Sequence, residues 1–227
     1  MDTPAAPPAP EVVSLRIAES PEGWAGVGFA VDGGRCRIGG VTLDLVGPDA
    51  GDGVVGWGLR HLPAGAATDL DGFPTTPADG PTSRRDGTDG TRAPGPHPCG
   101  VTAVDHIVLL TDDLDRTVGG AAAVGLTPRR WRDHALPDGT PVRQAFFVVG
   151  EMVLELVAPA ERPEHPRPGV RSFGIALVCP DLAVARAALG PGLGSDRPAV
   201  QPGRRIATVR HRDLGLRTPI ALMTPRP

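Results

Sequence analysis

The feature that most constrains this chain of 227 residues is an internal repeat in its second half. Residues 104–107 (VDHI) align with residues 172–175 (SFGI), and residues 154–159 (LELVAP) align with residues 220–225 (IALMTP). The two alignments have nearly the same offset. A repeat of this kind indicates two copies of one supersecondary unit, each burying its apolar face against a neighbour.

Each copy has the pattern of a β-α-β-β-β unit. In the first copy a β-rich run at residues 104–110 is followed by Asp112 and Asp113, which can cap a helix at its positive end. Apolar residues then recur at helical spacing until Gly125, and strands follow. The second copy repeats this order, with Asp181 at the start of its helix.

The turn at residues 150–151 predicts the register of the last hairpin in the first copy. A two-residue turn places Phe146 opposite Glu155 and Gln144 opposite Val157, all on one face of the sheet. We expect this face to form a mostly apolar cup with a few polar groups, as small-molecule pockets do. Glu155 needs a partner there, because an unpaired buried carboxylate is costly.

The first half of the chain carries weaker signals. Residues 41–48 align with residues 152–159, which sets Asp44 over Glu155, and suggest a shortened copy of the unit. The segment after residue 62 is rich in Gly, Pro and polar residues. We therefore divide the chain into a disordered tail (1–10), a degenerate module (11–62), a Gly- and Pro-rich linker or long loop (63–98), and a domain of two full modules (99–226, comprising 101–160 and 170–226).

Composition argues against several classes of protein. The net charge of −3 lacks the basic excess of nucleic-acid binders. No apolar run approaches the ~20 residues that cross a bilayer, and the first residues do not resemble a signal peptide, so we expect a cytoplasmic protein without a membrane partner. The three cysteines are widely spaced, which favours reduced thiols. All 23 basic residues are arginine, so no catalytic lysine is available. The chain also contains no tyrosine that could act as an acid.

The paired units, with DHIV at residues 105–108 and LELV at residues 154–157, resemble the vicinal oxygen chelate (VOC) superfamily. That superfamily includes glyoxalase I, methylmalonyl-CoA epimerase, extradiol dioxygenases and the fosfomycin and bleomycin resistance proteins. The chain is most similar to uncharacterised glyoxalase-like proteins of high-GC bacteria. The resemblance implies an α+β fold in which tandem βαβββ modules form cupped mixed β-sheets, with a degenerate third module at the N-terminus.

The resemblance also implies a divalent metal ion, Zn, Fe, Ni, Co or Mn, held by the first and last strands of paired units. His106 and Glu155 match two ligand positions, and imidazole and carboxylate suit these metals. The matching positions of the second unit are Gly174 and Ala221, which have no ligand atoms. Half of the expected site is missing, so the chain binds either one such ion or no cofactor.

Other residues are candidates to complete the site. Asp44, His97 or His211 would each add a ligand, and so would a second chain in a homodimer, which is common among proteins of this superfamily. Arg204 and Arg205 precede a strand, and one of the two should face the cup. A guanidinium there suits two-point binding of a carboxylate or phosphate.

Two functions follow, and the sequence does not decide between an enzyme and a binding protein. The first is a glyoxalase-like, metal-dependent lyase, isomerase or dioxygenase acting on a small oxygenated metabolite. It would use His106 and Glu155 as ligands, Glu155 as the catalytic proton acceptor, and Gln144, Phe146, Arg204 and Arg205 to bind substrate. The alternative is a metal-independent protein that sequesters a small molecule, as bleomycin resistance proteins do. A structural or regulatory role is a third, weaker interpretation.

Overall fold

The computed structural model describes residues 8–78, 95–136 and 138–226. Over these ranges the chain forms two β-sheets and three α-helices. The helices are α1 (Pro21–Gly26), α2 (Leu114–Ala123) and α3 (Leu182–Leu189). The strands are β1 (Glu11–Ile17), β2 (Arg35–Ile38), β3 (Val41–Leu45), β4 (Val54–Arg60), β5 (Asp69–Leu70), β6 (Phe73–Pro77), β7 (Ala103–Thr111), β8 (Arg130–Ala135), β9 (Pro141–Val149), β10 (Met152–Pro159), β11 (Val170–Val178), β12 (Arg197–Pro198), β13 (Arg205–Thr208) and β14 (Ile220–Met223).

The second half of the chain forms an eight-stranded mixed sheet with the strand order β12-β13-β14-β11-β7-β10-β9-β8. Within each unit the first strand lies parallel to the last, β7 beside β10 and β11 beside β14. The two units meet at the centre of the sheet, where β7 and β11 are antiparallel. The sheet therefore has the tandem βαβββ organisation that the repeat predicts.

The first half of the chain forms a six-stranded sheet with the same plan and fewer elements. Its order is β2-β3-β1-β4-β6-β5, with β1 parallel to β3, β4 parallel to β6, and β1 antiparallel to β4. It consists of a β1-α1-β2-β3 unit and a β4-β5-β6 unit that has no helix among the described residues. Two abbreviated units are present where the sequence predicts one.

The predicted boundaries of the first half need correction at two places. Strands β5 and β6 lie inside the segment predicted as a linker, residues 63–98, and they extend the sheet past residue 62. β5 has only two residues and β6 contains two prolines, so neither carries an alternating pattern for sequence analysis to detect. Pro10, predicted to lie in the tail, is buried. Residues 1–7 and 79–94 of the predicted tail and linker lie outside the described residues.

One hydrophobic core joins the two halves. The inward side chains of both sheets, among them Trp57, Leu43, Phe147 and Leu154, belong to a single cluster of buried residues. Helix α2 begins where Asp113 accepts a hydrogen bond from the backbone N–H of Arg116, as its sequence predicts. No helix in the described ranges is long and apolar enough to cross a membrane.

Polar contacts also link the two halves. The backbone N–H of Val54 donates to Ser172 Oγ at 2.9 Å, and that of Arg217 donates to the buried Glu19 carboxylate at 2.7 Å. The faces of the sheets that carry the core therefore pack toward each other, and the opposite face of the eight-stranded sheet opens to solvent.

Candidate functional site

The open face of the eight-stranded sheet carries the predicted cup. Strands β9 and β10 pair in the predicted register, with Glu155 opposite Phe146 and Val157 opposite Gln144. Val148, on the same face, is 53% exposed, whereas its neighbour Phe147 is fully buried on the core side. The predicted register is therefore confirmed, and these side chains share one face of the sheet.

Glu155 occupies the middle of the cup face. Gln144 Nε2 donates a short hydrogen bond to Glu155 Oε1. Burial raises the pKa of the Glu155 carboxyl above its usual value, and the positive charges of His106 and Arg132 oppose this shift only in part. A carboxyl group in this setting keeps its proton to a higher pH than an exposed glutamate, which suits acid–base catalysis.

An irregularity in strand β7 brings two polar residues together beside this carboxyl group. His106 pairs with Ala176 and Val104 pairs with Leu177, so Asp105 is the extra residue of a β-bulge. The bulge lets both Val104 and Ile107 enter the core, which strict alternation would forbid. Asp105 Oδ1 lies 2.7 Å from His106 Nδ1, and the His106 side chain is 17% exposed.

Asp105 is also the partner of a buried arginine from the second unit. Arg204 Nη2 donates to Asp105 Oδ2 at 2.5 Å, and the Arg204 side chain has no exposed surface. Burial on its own would raise the pKa of Asp105, but the hydrogen bonds and positive charges of His106 and Arg204 outweigh burial and lower it to about 2. Asp105 is therefore ionised near neutral pH.

The two adjacent arginines have different surroundings. Arg204 is the buried residue of the pair, and its guanidinium is engaged by Asp105. Its predicted role in binding a carboxylate or phosphate of a ligand stays a prediction. Arg205 points outward, is half exposed, and forms an ion pair with Asp196 on the surface. The structure does not place Arg205 beside Glu155 and Gln144, and its predicted role in substrate binding stays a prediction. The sequence leaves open which arginine faces inward, because that direction depends on a turn geometry it does not fix.

Three charged residues near the cup, Asp105, Arg130 and Arg132, are not among the predicted site residues. Asp105 and Arg204 lie 99 positions apart, so their pairing has no signal in sequence spacing. Arg132 pairs with Gln144, and Arg130 lies over the Phe146 ring at 5.9 Å from its centroid. The arginines of β8 therefore line the edge of the cup. Their sequence alone is equally typical of an edge strand that is protected by charged side chains.

The residues present do not fit a resident divalent metal ion held by three or four protein ligands. No group of three or more His, Cys, Asp or Glu side chains in the described part of the chain is arranged to hold such an ion. At Gly174 a Cβ atom would lie 2.5 Å from the carbonyl oxygen of Pro219, so no ligand side chain fits there. Of the predicted ligand positions in the described ranges, His106 and Glu155 are the two with ligand atoms on the cup face, fewer than metal sites use.

The other candidate ligands are engaged elsewhere. Asp44 lies in the six-stranded sheet and pairs with Arg35. His97 is buried, where its Nδ1 accepts a hydrogen bond from the backbone N–H of Ala30. His211 begins a short 3₁₀ turn between β13 and β14. None of the three joins His106 and Glu155 in a ligand group.

Comparison with solved structures defines the fold. A variant of 4-hydroxymandelate synthase from Streptomyces coelicolor matches with a TM-score of 0.62 and 12% identity, covering 96% of this chain and 93% of its own. A xylose isomerase-like TIM barrel/4-hydroxyphenylpyruvate dioxygenase fusion protein matches with a TM-score of 0.61 and 15% identity, covering 100% of this chain and 51% of its own. The chain therefore shares with these two structures an α+β fold of cupped mixed sheets.

A third solved structure aligns with part of the chain. Methylmalonyl-CoA epimerase from Mycobacterium tuberculosis has 22% identity and a TM-score of 0.42, with 56% of this chain and 91% of its own covered. No protein-family model matches the sequence, and no curated protein matches it. At these identities the likeness concerns the fold alone.

Proposed function

We propose that this protein binds a small oxygenated metabolite in the cup of its eight-stranded sheet and transfers a proton on it, with Glu155 and His106 as the acid–base pair. The observation that supports this most is the placement of the two side chains on adjacent strands of the open face. His106 lies beside Val153, and Glu155 is two residues further along the same strand. A ligand lying across β7 and β10 would meet both groups.

The surroundings suit acid–base chemistry. Asp105 holds Nδ1 of His106, which leaves Nε2 to meet a ligand. Glu155 has a raised pKa, so it keeps its proton to a higher pH than an exposed glutamate does, and Gln144 donates a hydrogen bond to it. A well-placed acid or base accelerates a reaction by about 10²–10⁴-fold. Phe146 and the exposed Val148 provide apolar contact beside these polar groups.

The test uses proton exchange, because the substrate is not identified. The purified protein is incubated in D₂O with a panel of 2-oxo acids, 2-hydroxy acids and acyl thioesters, and loss of the proton next to the carbonyl group is followed by ¹H NMR. Glu155→Gln is the test variant, and Glu151→Gln, at an exposed position in the turn of the same hairpin, is the matched control.

We expect catalysed exchange with at least one class of compound in the wild type and in Glu151→Gln, and at least 100-fold slower exchange in Glu155→Gln. Exchange that is equally fast in Glu155→Gln would contradict the role of this carboxyl group. A wild type that exchanges none of the compounds would contradict proton transfer on these classes.

A second candidate function is binding without chemistry, and a specific observation favours it. Gly174 is closed off by the Pro219 carbonyl group, so the second unit supplies no ligand at that position. If the protein only sequesters its ligand, a compound of the panel would raise the melting temperature of the protein, and proton exchange on that compound would stay at the uncatalysed rate. A homodimer and a cytoplasmic location stay predictions from the sequence.

A further inference from the structure

Among the residues that the structure describes, Arg204 is the one arginine whose side chain is fully buried, and proton transfer by His106 and Glu155 does not itself require it. It precedes strand β13 of the second unit, whereas its partner Asp105 lies on β7 of the first unit. The ion pair therefore crosses from one unit to the other next to the acid–base pair. A buried ion pair is seldom a gain in stability, which leaves its placement to be explained.

We infer that Arg204 is a positioning residue that acts through Asp105 to hold His106 in the tautomer with its hydrogen on Nδ1 and its lone pair on Nε2. The inference deepens the proposed function, since it names what prepares His106 to accept a proton. The tautomer is a property of the resting protein, so it can be tested without a substrate.

The hydrogen bonds of Asp105 determine where the ring hydrogen lies. One carboxylate oxygen, Oδ1, contacts His106 Nδ1 and the other, Oδ2, accepts from Arg204 Nη2. A carboxylate paired with a buried guanidinium can only accept hydrogen bonds. The ring nitrogen that faces it must therefore carry the hydrogen, and in the neutral imidazole the other nitrogen is then the acceptor.

Arg204 is itself held in place. Its Nε donates to the backbone oxygen of Thr224 at 2.7 Å, just beyond the end of β14. Its Nη1 is buried and has no hydrogen-bond partner among the described residues, so Asp105 is its principal charge partner. Arg204 and Asp105 thus depend on each other, and neither can turn away without leaving a buried charge uncompensated.

This arrangement gives the second unit a part in the site. The positions that match His106 and Glu155 in that unit, Gly174 and Ala221, cannot contribute a functional side chain. Arg204 contributes instead through the first unit's Asp105. The cup therefore needs both units even though its acid–base groups come from only one.

The experiment is ¹⁵N NMR of the full chain labelled at histidine, recorded at pH 8, where long-range ¹H–¹⁵N correlations identify the protonated ring nitrogen. His106→Asn assigns the signals of His106. Arg204→Met is the test variant, and Arg205→Met is its matched control, since it removes the adjacent arginine that pairs with Asp196 on the surface. Arg204→Lys tests whether a shorter cation restores the effect.

In the wild type and in Arg205→Met we expect a single neutral ring with the hydrogen on Nδ1. In Arg204→Met the population of that form should fall at least threefold, replaced by the Nε2–H form, and Arg204→Lys should recover part of it. An Nε2–H ring in the wild type would overturn the inference without any variant. An unchanged ring in folded Arg204→Met would also overturn it.

The outcome is separable from that of the proposed function. If the tautomer is as expected but Glu155→Gln does not affect proton exchange, the positioning role stands and the proposed chemistry fails. If exchange depends on Glu155 while the tautomer of His106 does not change in Arg204→Met, the proposed chemistry stands and the positioning role fails.

Discussion

His106 and His97 have different surroundings in the structure, and their positions in the sequence do not reveal the difference. His106 lies on an open strand face with one nitrogen held by Asp105. His97 is buried, and both of its ring nitrogens meet the backbone, Nδ1 at Ala30 N–H and Nε2 at the Arg37 carbonyl oxygen, each at 3.0 Å. The sequence treats both as candidate ligands, but the structure gives His97 a packing role.

His97 makes stability depend on pH. Burial lowers its pKa, which the hydrogen bond to the Arg37 carbonyl opposes only in part. A folded-state pKa below the unfolded value near 6.5 means that its contribution is complete above pH 6.5 and is lost as the pH falls below it. Protonation would also put a hydrogen on Nδ1 of His97, where it would face the Ala30 N–H instead of accepting from it. The loss of this hydrogen bond costs about 1–3 kcal/mol.

We therefore expect urea unfolding to give a lower free energy at pH 5 than at pH 7.5, with part of the difference removed in His97→Asn. His165→Asn, at an exposed position, should keep the full difference. Identical pH dependence in His97→Asn and the wild type would contradict this assignment.

At the scale of elements, the strands of the second half were largely predictable. Hairpin register follows from turn length, so the partners of Glu155 and Gln144 could be derived from residues 150–151 alone. The bulge that admits Asp105 beside His106 could not, because it breaks the alternation on which such derivations depend. Strands β5 and β6 escaped detection because neither is long enough to show a period.

The contact between β11 and β14 yields a prediction about Gly174. The Pro219 carbonyl oxygen accepts a hydrogen bond from the backbone N–H of Ile175 at 3.0 Å, and an added Cβ on Gly174 would lie 2.5 Å from the same oxygen. Gly174→Ala should therefore force the strands apart and lower the free energy of unfolding by about 1–3 kcal/mol.

Gly119→Ala is the matched control, since the same added methyl group in the exposed face of α2 meets no atom within 4 Å. It should raise stability by about 0.5–1 kcal/mol. Chemical denaturation of both variants measures the contrast. Equal stabilities would mean that β11 has room for a side chain, which would reopen the second unit to a ligand.

At the scale of the whole molecule, the two halves share one plan that has been reduced to different extents. A Cβ added to Gly56 in β4 would meet the Pro74 carbonyl oxygen, much as a Cβ added to Gly174 in β11 would meet that of Pro219. The central strands of both sheets carry bulges against their antiparallel partners. The sequence indicated the fuller pair of units and one shortened unit. The second shortened unit, β4-β5-β6, became apparent only through strand order, because its strands β5 and β6 are too short to align.

The whole chain also bears on the predicted metal ion. Across the described ranges His106 and Glu155 find no third ligand, and a site with two protein ligands binds weakly compared with the three or four of resident sites. We therefore expect inductively coupled plasma mass spectrometry of the untagged, full-length protein to find far less than one Zn, Fe, Ni, Co or Mn per chain. His106→Ala/Glu155→Ala should give the same low value. Near one ion per chain that disappears in the double variant would show that His106 and Glu155 are ligands after all.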